Sequence, residues 1–194
     1  MGGIATEKFE KLEVTSAKAL RAWLSENHGS EDSIWLVTHK KHMGETYVDR
    51  FAVLDELVAF GWIDGIRRVL DADRTMQLIS KRKTQHWSQS YKDRAAKLIE
   101  EGRMADPGFK SIEEGKASGL WDFMADVDAL IQPDDLKQAL AGSKSAQNYF
   151  DSCPDAYVRN VLRWIKLAKT DATRSKRIQT VVATSQNAER IPQM

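Results

Sequence analysis

From Trp62 to Leu70 apolar and polar residues alternate, Asp71-Ala72-Asp73 makes a tight connection, and Thr75 to Ser80 runs back. Alternation at period two puts successive side chains on opposite faces of a strand, so this stretch predicts an antiparallel hairpin. Beyond it the apolar residues recur at three and four, the period of a helix. That change of period sets the fold class: α+β, a small antiparallel sheet packed by helices and followed by an all-helical C-terminal subdomain.

The flanking segments fill in this plan. Leu20, Trp23 and Leu24 mark a first helix from Ser16 to His28, and Ile34 to Thr38 reads as a short buried strand that extends the hairpin. Met43-Gly44-Glu45 reads as a turn. Asp49 caps a helix through Phe60, with Gly61 as its terminator. Ser88 starts a helix to Glu101, and Asp106-Pro107 starts another to Ala117 that ends at Gly119. Leu120 to Ile131 is acidic and irregular. Helices follow over Pro133–Leu140, Lys144–Phe150 and Pro154–Lys169, then a last one through Val182 after a break at Thr170-Asp171. The expected domains are residues 1–125, an α+β domain with the hairpin, and residues 130–185, a helical module; residues 186–194 read as a disordered tail.

Charge is unevenly spread although the formal net is only +1 over 194 residues. Residues 74–103 carry eight Lys/Arg against three acids, and residues 154–177 carry seven against two, so each stretch is +5. Two such segments in an otherwise acidic chain suggest a local anion-accepting face, or two solvated helix faces. No apolar run approaches the ~18–20 residues needed to span a bilayer, so no membrane insertion is expected. The first residues lack an apolar signal core, and one cysteine, Cys153, leaves no internal disulfide framework. The expected location is the cytoplasm.

Gly61-Trp62-Ile63-Asp64-Gly65, Trp87-Ser88, Gly102-Arg103-Met104 and the later Trp164-Ile165, Ala168-Lys169, Thr173-Arg174 and Arg177-Ile178 appear in this order. Together they resemble the YdeI/OmpD-associated family of small bacterial proteins, from about Ile34 to about Ala183. Lys81 stands where that family tends to have Pro, and Tyr91 where Asn is usual after Trp-Ser. The resemblance implies an association with bacteriocin protection or with an outer-membrane porin.

The candidate ligand-binding residues are Trp62, Asp64, Arg82, Trp87, Ser88, Lys169, Arg174 and Arg177. Trp62 and Asp64, two apart, share one face of a strand, and Arg67 joins them only if a bulge at Gly65 resets the register. They read either as an aromatic wall beside a carboxylate, or as a core ring and an anchoring acid. Arg82, His86, Trp87 and Ser88 lead into a helix start, where free N–H groups, a guanidinium and a ring face suit an anion or a base; the alternative makes Ser88 a cap and Trp87 a plug. In the C-terminal module Tyr157, Val161, Trp164 and Ala168 form a core stripe, with Arg159, Arg163 and Lys166 on the wet face. Arg174 and Arg177 cluster near a helix N-terminus, with Lys169 just before it. Cations there oppose the helix dipole, so they call for a bound anion or for acids from residues 122–135.

No catalytic signature, cofactor motif or metal set is legible. His39 and His42 have opposite parity on a strand, and Asp71-x-Asp73 lacks the glycine and glutamate of a calcium loop. The reading is therefore a cytoplasmic, non-enzymatic binding or interaction protein of the YdeI/OmpD-associated type, in stress or antimicrobial tolerance, whose partner is a small anion or a protein. A nucleic-acid-binding protein using the two basic segments, or an enzyme acting on a small anion through Asp64 or His86, are the rivals.

Overall fold

A computed structural model describes residues 8–30 and 33–192. The chain divides into two compact units, Met1–Asp122 and Phe123–Met194. Among the described residues, no helix is long and apolar enough to cross a membrane.

The first unit is a four-stranded sheet in the order β1-β2-β4-β3 with helices packed on it. Its strands are β1 (Lys11–Val14), β2 (Ile34–His39), β3 (Trp62–Val69) and β4 (Arg74–Lys81). The hairpin is β3–β4, and β2 pairs antiparallel with β4 from Ile34↔Ile79 to His39↔Arg74. β1 adds a parallel pairing to the expected antiparallel strands: it lies beside β2 with Lys11 opposite Trp35. Four residues paired to a strand more than twenty positions away leave too little local pattern to be read.

Helices α1 (Ala17–Asn27), α2 (Arg50–Ala59), α3 (Gln89–Glu100) and α4 (Asp106–Ala117) cover one face of this sheet. Ser16 caps α1 by accepting from the Ala19 N–H at 3.1 Å, and Asp49 caps α2 by accepting from Phe51 at 2.8 Å. A 3-10 segment, Lys41–Thr46, occupies the turn before α2. Leu20, Leu24, Leu36, Leu57, Trp62, Ile79 and Leu98 are all essentially inaccessible and form the centre of the core. α2 ends at Gly61, whose φ is +70°; a Cβ there would lie 2.8 Å from the Pro107 carbonyl oxygen and 2.9 Å from Ser111 Cβ. α4 thus lies directly against the α2–β3 corner.

The second unit is all helical: α5 (Ala125–Asp128), α6 (Asp134–Ala141), α7 (Lys144–Asp151), α8 (Asp155–Lys166) and α9 (Asp171–Gln186). Its core gathers Leu136, Leu140, Phe150, Tyr157, Val161, Ile165 and Val181. The buried stripe of α8 is therefore Tyr157, Val161, Leu162 and Ile165, while Trp164 sits partly buried at its flank. Lys166 is not on a wet face either: its ammonium meets Asp126 at 2.5 Å. The chain after α9 also departs from the expected disordered tail. Ile191 is 6% exposed and its N–H donates to the Tyr157 hydroxyl at 3.1 Å.

Candidate functional site

The site of the first unit is built around β3, the end of β4 and the start of α3. In β3 the register shifts between Asp64 and Arg67, so Asp64 faces Ile79 and Arg67 faces Gln77. This bulge brings Arg67 to the same face as Asp64 and Trp62. The Trp62 ring is wholly buried, edge-on to Trp23 at 5.6 Å, and its N–H donates to the His28 carbonyl at 3.1 Å. It presents no face to solvent. Asp64, at the margin of the core, accepts from Gln77 Nε2 at 2.7 Å and from the Tyr91 hydroxyl. Burial, then that hydrogen bond, push the Tyr91 phenol upward in pKa, so it is a fixed donor at neutral pH.

Arg82 is the unusual group. It is only 6% exposed, and its guanidinium lies 4.2 Å from the centre of the Trp87 ring and 4.7 Å from that of Tyr91. Nη1 donates to the carbonyls of Gln85 and His86, but Nε and Nη2 have no hydrogen-bond partner. Burial pulls its pKa down to about 10, with Tyr91 and Asp64 acting the other way, so the charge persists at neutral pH. The contrast with Glu56 is instructive. That carboxylate is 4% exposed and accepts from Arg21 at 2.7 Å and from Arg103 at 3.0 Å. Glu56 has two counter-ions; among the described residues Arg82 has no carboxylate within ion-pair distance. A buried charge left in that condition costs several kcal/mol unless something else compensates it, of which ring stacking supplies roughly 2 kcal/mol.

Beside Arg82 lies a cavity of about 380 Å³. Phe60, Gly61 and Pro107 form an apolar wall, and Lys81, Lys110, Asp106 and Glu114 bring charge to it. A second, pinched space of about 10 Å³ touches Arg82, Trp87 and Glu114. The Trp87 ring is 1% exposed and its N–H has no partner; it abuts Gly115, where a Cβ would come within 2.5 Å of Nε1. Three donor nitrogens without acceptors, two from Arg82 and one from Trp87, thus occur in one region. Ser88 does not cap α3 with its side chain; its hydroxyl lies 3.0 Å from that of Ser90.

The basic residues of the second unit are engaged differently. Arg174 grips Asp135 through Nε at 2.6 Å and Nη2 at 2.9 Å, a forked pair. That hydrogen bond, working against burial, holds the Asp135 carboxyl below the usual range. Arg177 donates to the Trp164 carbonyl and stacks over the Trp164 ring at 5.1 Å. Thr170 caps α9 and Asp171 supplies the acid in its first turn. Lys169 is exposed in the preceding loop. An acid from the 122–135 stretch therefore occupies the fork of Arg174.

Residues 12–111 match a family described as a domain of unknown function (DUF8412), and residues 129–187 match the family described as Bacteriocin-protection, YdeI or OmpD-Associated. The chain belongs to the DUF8412 family, whose model spans half of it, and its helical unit carries the YdeI/OmpD-associated match. No curated protein and no solved structure matches it. The YdeI/OmpD-associated match rests on the helical module, and the Gly-Trp-Ile-Asp-Gly hairpin lies within the DUF8412 stretch.

Within the DUF8412 unit the structure brings Asp64, Arg82 and Trp87 together, and Tyr91 links them. Trp62 adjoins them only as core. Arg174 and Arg177 are brought together with Trp164 and Asp135 inside the YdeI/OmpD-associated module. Sequence reasoning missed Tyr91 and the cavity residues Asp106, Lys110 and Glu114. Tyr91 carried a signal, as the departure from Asn after Trp-Ser. The three α4 residues carried only their spacing of four, which is common on solvated helices. His39 and His42 bond to side chains of their own surroundings, His39 to Thr46 and Glu13 and His42 to Asp73.

Proposed function

We propose that this chain is a cytoplasmic, non-enzymatic binding protein of the YdeI/OmpD-associated type, serving stress or antimicrobial tolerance, and that it takes a small anion in the Arg82 cavity of its DUF8412 unit. The observation that carries this reading is the buried guanidinium of Arg82, with two nitrogens unpartnered and, among the described residues, no carboxylate in ion-pair contact with it. An anion accepting from those nitrogens supplies the missing charge and acceptors at once. Trp87 and Tyr91 hold the guanidinium in place, and Asp64 holds Tyr91. The family described as bacteriocin-protection supports the tolerance role, through residues 129–187.

The test is a set of thermal melts in phosphate, acetate and chloride at one ionic strength. Wild type is expected to gain in melting temperature with phosphate or acetate, since a ligand at 100 times its Kd adds about 2.7 kcal/mol. Arg82→Met keeps the stacking volume without the charge and should lose this dependence. Arg174→Ala should retain it. Lys110→Ala, at an exposed position, checks the same cavity without touching the core. No anion-dependent rise in wild type ends the reading.

A further inference from the structure

We infer that the Arg82 cavity is built for a zwitterion, an amino-carboxylate with an apolar body, rather than for a simple or multiply charged anion. This rests on the anion reading above and names the class of ligand. The argument begins with α4. Asp106, Lys110 and Glu114 follow at intervals of four, so they share one side of the helix, and all three line the cavity. Opposite charges at that spacing ordinarily pair, yet no ion pair joins these residues; among the described residues the i,i+4 pair of this unit is Lys97–Glu101, on α3. All three side chains are exposed, and their charges are available to a ligand.

The cavity is therefore bipolar. Arg82 offers a buried, unpartnered fork suited to a carboxylate, and Asp106 and Glu114 offer acceptors suited to an ammonium. A ligand with two or more negative charges meets two carboxylates as well as the cations, and like charges weaken its binding. A mono-carboxylate carrying an ammonium meets a partner for each of its charges. Size points the same way. About 380 Å³ falls at the lower end of small-molecule sites, roughly 300–1,000 Å³, and far exceeds one inorganic ion. The same lining includes Phe60, Pro107 and Gly61, apolar surface for the ligand's body. Gly61 keeps that wall thin, because a Cβ there would run into the Pro107 carbonyl and the Ser111 side chain.

The experiment uses three probes that share a phenylethyl body: L-phenylalanine, 3-phenylpropionate and 2-phenylethylamine, titrated by calorimetry into the full chain. L-phenylalanine is expected to bind at least tenfold tighter than either singly charged probe. Asp106→Asn with Glu114→Gln, both at exposed positions, should erase the gap between L-phenylalanine and 3-phenylpropionate while 3-phenylpropionate still binds. Arg82→Met should remove binding of both carboxylates. Equal affinity of wild type for L-phenylalanine and 3-phenylpropionate overturns the zwitterion inference and leaves the anion reading standing. Absence of binding by either carboxylate, together with no phosphate effect on melting, overturns both. A tightest ligand in 2-phenylethylamine likewise overturns both, since the cavity would then be a cation site.

Discussion

Gly61→Ala tests the corner on which the cavity depends. Two costs add at this position. With φ at +70° an alanine must adopt the left-handed region, which costs about 1–2 kcal/mol. Its Cβ would also lie 2.8 Å from the Pro107 carbonyl oxygen and 2.9 Å from Ser111 Cβ. The first of these is backbone, so α4 itself must shift, and overpacking of that kind costs about 1–3 kcal/mol. Alanine regains about 0.4–1 kcal/mol by restricting the unfolded chain. The net expected loss is about 2–4 kcal/mol. Gly119→Ala is the control: its φ is +74°, but nothing lies within 4 Å of a Cβ there. It carries the conformational cost alone, and about 1 kcal/mol or less remains after the unfolded-state gain. Both positions belong to the first unit, so urea unfolding followed by circular dichroism compares them on one transition. Equal losses for the two variants would refute the close packing of α4 against the α2–β3 corner.

Other consequences can be checked on the same protein. Tyr91→Phe removes one of two side-chain donors to Asp64 and should cost about 1–2 kcal/mol in urea unfolding; no loss would show that Gln77 alone satisfies the carboxylate. In the helical module Ile165→Ala, at a fully buried position, should cost about 2–5 kcal/mol, and more than Trp164→Ala, whose ring is only partly buried; the reverse order would mean that the face of α8 is misassigned. Asp135 is held below its ordinary pKa by Arg174, so its contribution is complete above the unfolded carboxyl value of about 3.9 and fades as pH falls through the folded value. Asp135→Asn should therefore lose stability at neutral pH and show a shallower acid limb than wild type, measured by urea midpoints from about pH 7 to about pH 3; an unchanged acid limb would count against the Arg174–Asp135 pair.

Local pattern carried much of the architecture. Alternation in residues 62–80 is enough to specify the hairpin, because a strand with one buried face allows only one parity for its apolar side chains. Ser16 and Asp49 mark helix starts for an equally local reason: each supplies an acceptor to an N–H two or three residues on. The motifs from Trp164 to Ile178 likewise pointed to the family whose model matches residues 129–187, whereas those from Gly61 to Met104 lie in the DUF8412 stretch.

What needed the tertiary structure is whatever depends on distant partners. β1 is four residues whose strand state comes from pairing with β2, and no periodicity that short can announce it. Trp164 and Ile165 are neighbours with similar claims to the core, and only the packing of α8 on its partners decides that Ile165 is buried and Trp164 flanks it. Arg174 and Arg82 look alike in sequence, each a cation in a basic run. Arg174 met Asp135, thirty-nine residues away, and Arg82 met two aromatic rings and, among the described residues, no ion-pair partner. The sequence by itself states how many charges the chain has; which of them are neutralised is decided by the fold, because ion pairing falls off within a few ångströms and chain separation says nothing about that distance.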